Sequence, residues 1–135
     1  MIHISVPDTQ TLVEKADGVT KYTAYNIYVN GAFHAAVRFS KLIEFADAIK
    51  QRYATKKRLM LRFPSKQFFP LDEKGIEQRR IKISKYFNQL VQSPEIVRSF
   101  FVVSDVFWNF KLSHTLRRVL MYHLMYFLLM ATRLL

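Results

Sequence analysis

The first forty residues alternate apolar and polar side chains with a period of two. The stretch "IHISV" at residues 2–6 alternates and then stops at Pro7, which reads as a short strand. A polar loop containing Gly18 follows. From Tyr22 to Asn30, "YTAYNIYVN", the chain is rich in aromatic and β-branched residues and alternates through Tyr25, Ile27 and Val29. It runs into Asn30-Gly31, a strong two-residue hairpin signal, and Ala32 to Phe39 then reads as the returning strand. Three antiparallel strands are therefore expected.

The period then changes to that of a helix. Ser40 is a candidate N-cap, and Leu42, Ile43, Phe45, Ala46, Ile49 and Tyr53 share one face, predicting a helix that ends near Ala54. The stretch "TKKRLMLRFPSKQFFPLDEKG" has no clean periodicity, two prolines and one glycine. It reads as a long ordered loop, and loops of this length in a small domain are usually functional. Glu77 to Val91 is helical again, with Ile83, Tyr86, Phe87, Leu90 and Val91 on its apolar side and Ile76 just ahead of them. Ser93-Pro94-Glu95 starts a further helix well, with Ile96, Val97, Phe100 and Phe101 directed inward. Strands first and helices after indicate an α+β fold, a three-stranded antiparallel sheet packed against a helical subdomain.

From about residue 103 the character changes. The segment has almost no acid, no proline and no glycine, and past Arg118 it is apolar on nearly every side. An extra hydrophobic C-terminal helix is expected there, buried or in lipid. Its most apolar part, Val119 to Ala131, would reach only ~20 Å as a helix, short of the ~30 Å hydrocarbon layer of a bilayer. The organisation expected is one domain over residues 1–102 and an atypical tail over 103–135. The N-terminus lacks the basic start and apolar core of a secretory signal.

Charge sharpens the picture. The 135 residues carry a net charge of +11 and no cysteine. Disulfides, thiolate metal sites and cysteine nucleophiles are thereby excluded. Residues 1–50 hold five basic and five acidic residues, but residues 51–100 hold twelve against four, so the excess begins beyond the first helix. Such a surface attracts phospholipid head groups, nucleic acid or acidic proteins. His3, His34, His114 and His123 form no metal-ligand spacing, and three glycines cannot build a glycine-rich phosphate loop. Asp72-Glu73 reads as a charged helix start rather than an acid–base pair. No enzyme activity, metal or cofactor is expected.

Arg38 has no acid beside it in "VRFSKLIEF", Glu44 being the nearest in that stretch. It reads either as a solvated strand end or as a side chain awaiting an external partner. Phe39 reads as core or as a contact surface. Arg79 and Arg80 could equally form the outer face of an amphipathic helix.

Five local patterns occur in order: "ISVPD" at Ile4 to Asp8, "YTAYNIYVNG" at Tyr22 to Gly31, "VRF" at Val37 to Phe39, "FPSK" at Phe63 to Lys66, and "EQRRIKISKYFNQLV" at Glu77 to Val91. Together they resemble a PX (phox homology) domain, in particular that of the sorting nexins that carry a FERM-like module after it. The likeness covers about residues 2–102. It implies a non-enzymatic module that binds phosphatidylinositol 3-phosphate and an anionic membrane surface. The protein would be cytoplasmic and peripheral on early endosomes, acting in intracellular protein trafficking.

Carried over by position, the resemblance gives Arg38 the 3-phosphate, Phe39 the inositol ring, Lys66 the phosphate joining inositol to lipid, and Arg79, with Arg80 as the alternative, the ring hydroxyls. The mixture of Lys56, Lys57, Arg58, Leu59, Met60, Arg62, Phe68 and Phe69 is suited to a membrane-contact loop, with charges to approach and apolar side chains to dip in. Leu61 and Ser65 stand where related loops often have proline. The FERM-like module does not follow in this sequence, so cargo tails are not expected as partners. Three origins stay open for the tail: a splice variant, a truncated gene model or a hydrophobic anchor. A small basic nucleic-acid-binding domain and a truncated protein-interaction fragment are the competing classes.

Overall fold

The computed structural model describes residues 3–55 and 61–96, apart from the side chain of Arg52. Among the described residues four antiparallel strands precede two helices: β1 (Ile4–Ser5), β2 (Thr9–Val13), β3 (Lys21–Val29), β4 (Ala32–Arg38), α1 (Phe39–Arg52) and α2 (Glu73–Gln92). The α+β class holds, with four strands in the sheet rather than three. Expectations for Val97, Phe100, Phe101 and the hydrophobic C-terminal helix lie outside the described residues.

β3 is the centre of the sheet. Along one edge it pairs with β4, from Ala24↔Arg38 to Val29↔Ala32. Along the other it pairs first with β2, from Val13↔Lys21 to Thr9↔Tyr25, and then with β1, Ile4↔Val29 and Ser5↔Tyr28. Asn30 and Gly31 both adopt positive φ, 49° and 81°, the backbone that a two-residue hairpin turn matched to strand twist requires. Asn30 also ties the turn back to β1, exchanging hydrogen bonds with the main chain of His3 (both 2.8 Å).

β2 stands where a loop was expected. Its sequence, Thr-Gln-Thr-Leu-Val, has no buried residue, so hydrophobic patterning carries no sign of it. Backbone pairing with β3 makes it a strand. The one buried polar side chain among the described residues, Asn26, helps hold the start of β2. Its amide donates to Asp8 (2.9 Å) and its carbonyl oxygen accepts from Gln10 (2.7 Å).

Both helix starts differ from expectation for local reasons. β4 runs into α1 without a loop, so Arg38 is at once the last strand residue and the N-cap, with no side-chain cap; Ser40 lies inside the first turn. α1 gives way at Tyr53, one residue before the expected end. α2 begins at Glu73 because Asp72 accepts from the Gly75 N–H (2.8 Å). Gly75 therefore belongs to the first turn, where a Cβ would come within 3.0 Å of Leu71.

α2 meets the rest of the domain on two faces. Ile83, Tyr86, Phe87 and Leu90 are buried and join Ile4, Val6, Tyr25, Ile27, Leu42 and Phe45 in one core. Residues 80, 84 and 88, one helical turn apart, face the open edge of β1. Arg80 donates to the Val6 carbonyl (2.5 Å) and Ser84 accepts from the Val6 N–H (3.2 Å). Asn88 accepts from the Ile4 N–H (3.3 Å) and donates to the Ile4 carbonyl (2.5 Å). Polar side chains thus replace a neighbouring strand. Among the described residues no helix is long and apolar enough to cross a membrane.

Asn88→Ala leaves both main-chain groups of Ile4 without that partner beside a buried core. We expect urea unfolding to show a loss of about 1–3 kcal/mol; a loss under about 0.5 kcal/mol would contradict the role given to this contact.

Candidate functional site

The end of β4, the start of α1 and the middle of α2 converge. Because strand passes directly into helix, Arg38 and Phe39 leave the backbone at the corner between sheet and helix. Arg38 lays its guanidinium over the ring of Tyr22 on β3, 4.3 Å from the centroid, and forms an ion pair with Glu14. The partner of Arg38 is therefore within the chain, twenty-four residues back on the hairpin, and the expectation that no acid lies beside it is corrected. Glu44 instead pairs with Lys41 (3.1 Å).

Phe39 packs in a chain of rings. It stacks on Phe63 at 5.7 Å and 13°, lies 6.3 Å from Tyr25, and is linked through Phe63 and Tyr86 to Phe87 and Phe45 in the core. Burial raises the Tyr86 hydroxyl pKa above its ordinary value, with the charge of Asp47 adding to the effect. Arg79, from α2, places its guanidinium carbon 3.7 Å from the Phe39 centroid. That is cation–π distance. Burial also raises the pKa of Tyr25, and the neighbouring Arg79 charge opposes the shift.

A cavity of about 400 Å³ opens among these groups, lined on the sheet side by Lys21, Tyr22 and Arg38 and on the helix side by Phe39, Leu71 and Arg79. Three cations converge on it: a lysine and two guanidinium groups, whose planar paired donors suit phosphate or carboxylate oxygens. Arg80 is engaged elsewhere. It forks onto Glu77 and reaches Val6, so of the two neighbouring arginines Arg79 is the one at the cavity.

Lys66 is not at this cavity. It lies with Arg62 and Lys50 around a second one, of about 600 Å³, between α1 and the segment 61–66. The cause is Phe63, wedged between Phe39 and Tyr86, which holds that segment against α1. Phe68 and Phe69 are 101% and 83% exposed, while Phe63 is half-buried. Lys56, Lys57, Arg58, Leu59 and Met60 lie outside the described residues. Among the described residues no cluster of three potential metal ligands occurs.

Sequence reasoning missed Lys21, Tyr22 and Glu14. Tyr22 was legible as the first residue of the strand that pairs with the one delivering Arg38, and Lys21 directly precedes it. Glu14 was not, because recognising it requires β2.

The hairpin from β2 to β3 is closed tightly. Glu14 donates its N–H to the Thr20 carbonyl (2.8 Å) and accepts from the Gly18 N–H (2.9 Å). Asp17 accepts from the N–H groups of Val19 (2.9 Å) and Thr20 (3.0 Å) and from the Thr20 hydroxyl. These donors hold the Asp17 carboxyl down at about 2.

The family model for the PX domain matches residues 25–104. Sorting nexin-17 of Rattus norvegicus is 36% identical over 93 residues, which are 69% of this chain and 19% of the relative. Sorting nexin-31 of Mus musculus is 24% identical over 109 residues, 81% of this chain and 23% of the relative. The chain thus spans about a fifth of the length of the curated relatives it matches. Among solved structures, a designed CISK-PX domain superposes with a TM-score of 0.57 at 26% identity, covering 75% of this chain and 94% of that one. The mouse SNX19 PX domain with bound sulphate ion gives 0.54 at 21% identity, covering 71% and 87%, a likeness of fold.

The Asp17 carboxyl has a folded pKa depressed below the ordinary 3.8. Its contribution to stability is therefore present above the unfolded value and lost as pH falls through about 2. An NMR titration of the Asp17 carboxyl carbon should have its midpoint near 2, and a midpoint at the ordinary 3.8 would show that the turn is not closed this way.

Proposed function

The chain belongs to the PX domain family, and from that premise we propose that it is a phosphoinositide-binding module for phosphatidylinositol 3-phosphate. It targets its protein to early endosomal membranes in intracellular trafficking. PX domains of sorting nexins are lipid-binding, non-enzymatic modules. The observation that carries this reading is the convergence of Arg38 and Arg79 on one cavity beside the ring of Phe39. The binding unit is assigned to residues 1–102, with 103–135 as a separate tail.

In this reading the Arg38 fork takes the 3-phosphate through charge-assisted hydrogen bonds. Tyr22, under the guanidinium, keeps it pointed at the cavity. The inositol ring lies against Phe39. A ring seated there shifts Arg79 from the aromatic face to the ring edge, where its N–H groups meet hydroxyl oxygens. Lys66 acts from the neighbouring cavity and takes the phosphate joining inositol to the lipid. For that, the chain beyond Phe63 turns so that Lys66 reaches the first cavity, a freedom left by Ser65, which stands where related loops often have proline.

The membrane itself is met by Lys56, Lys57, Arg58, Leu59, Met60, Arg62, Phe68 and Phe69. The exposure of Phe68 and Phe69 supports this assignment. Two phenyl rings transferred from water to the acyl boundary contribute ~2 kcal/mol or more each.

Sedimentation with phosphatidylcholine vesicles, with and without phosphatidylinositol 3-phosphate, tests the reading. The full chain should bind only the phosphoinositide vesicles, and Arg38→Ala should weaken binding by ~2 kcal/mol or more. Equal binding by wild type and variant, or equal binding to vesicles carrying phosphatidylserine instead, would refute it. Phe68→Asp with Phe69→Asp should lower vesicle binding about tenfold or more and leave binding of the soluble head group unchanged. A matching loss for the head group would place these residues in the pocket instead.

A further inference from the structure

The ion pair that satisfies Arg38 lies beside the cavity assigned to the ligand. We propose that Glu14 is an affinity-setting residue that competes with a ligand phosphate for the Arg38 guanidinium. This inference rests on the reading of the cavity as a phosphate site.

The geometry makes Glu14 a competitor with little freedom to leave. Its main chain is bonded at both N–H and carbonyl within the closed β2–β3 turn. Asp17 braces that turn through three donors. Glu14 therefore cannot relax by moving the backbone; only its side chain can swing away. The pair is half-exposed, 38% for the Arg38 side chain and 29% for Glu14, so water can take over the carboxylate once it is displaced.

Charge gives the direction of the effect. A phosphate monoester carries about −1.5 to −2 at neutral pH. Seated on Arg38, it meets a carboxylate held on the same guanidinium. Either it displaces that carboxylate, at the cost of the ion pair, or it accepts a like charge next to it. Both lower affinity. Lys21 and Arg79, on the same cavity, partly offset this penalty. A ligand with a single, poorly charged phosphate cannot overcome it as well as one that also engages Arg79. Glu14 thus favours ligands that bridge the two arginines over anions that reach Arg38 alone.

The alternative is a positioning role of opposite sign. A carboxylate on one guanidinium nitrogen can hold the fork in position, and its loss would then weaken binding. The two roles differ in sign.

The test uses the full chain with Glu14→Gln, which keeps size and hydrogen bonding, and Glu14→Ala as a second variant. Far-ultraviolet circular dichroism checks the fold of each. Three probes are used: inorganic phosphate, followed by the Arg38 side-chain N–H resonances; the soluble head group of phosphatidylinositol 3-phosphate; and vesicles carrying the lipid. Glu14→Gln should bind inorganic phosphate and the head group about fivefold more tightly than wild type, the scale of a half-exposed ion pair. The gain should be larger for phosphate than for the head group, and absent in an Arg38→Gln background. A gain for inorganic phosphate without binding of the head group or vesicles would uphold the competition and refute the lipid assignment. Weaker or unchanged binding of every probe by both variants would overturn the proposal, and vesicle binding by wild type in the same experiment would leave the lipid assignment standing.

Discussion

The seating of α2 against the outer edge of β1 is the contact on which the rest of the domain depends. A two-residue strand cannot hold itself. Here it pairs with β3 on one side and, on the other, with side chains from three successive turns of a helix. The apolar side of the same helix enters the core through Ile83, Tyr86, Phe87 and Leu90. The two faces together fix the rotation and the height of α2 on the sheet. Arg79 is adjacent to Arg80, the first member of the polar row, so the contact that closes the sheet edge also sets where Arg79 emerges. A fold element and a site element are thus one interaction.

From that anchor the aromatic chain runs to the cavity. Phe45 and Phe87 lie in the core, Tyr86 and Phe63 carry the contact outward, and Phe39 ends it beneath Arg79. Rings in such contact resist displacement because each is wedged by the next. The corner residues Arg38 and Phe39 inherit that rigidity. The cations are thus presented on a rigid floor, while the described part of the following segment keeps Arg62, Lys66 and the phenylalanines Phe68 and Phe69 on the outside.

Much of this was legible in the sequence where side-chain burial has a period. The β3–β4 hairpin, both helices and most of the core followed from alternation, from Asn30-Gly31 and from helical spacing. β2 was hidden because it buries nothing, and its existence depends on a partner strand rather than on its own pattern. Missing β2 also hid Glu14 and left Arg38 with no visible partner. The α2 start was obscured by Gly75, which signals a loop by composition but sits in the first helical turn capped by Asp72, where Leu71 crowds any side chain. Arg38, Phe39 and Arg79 were grouped by resemblance and meet at one cavity. Lys66 was grouped with them but stands at another, because Phe63, not the lysine, decides where that segment packs.

In the proposed function Arg38, Phe39 and Arg79 form one pocket for a phosphorylated inositol. A crystal structure of the chain with the soluble head group of phosphatidylinositol 3-phosphate tests it most directly. A phosphate should sit on the Arg38 guanidinium and the inositol ring against Phe39 with Arg79 at its edge, with the Glu14 carboxylate turned away. A head group seated among Lys50, Arg62 and Lys66 instead, with the Arg38–Glu14 pair intact, would contradict it.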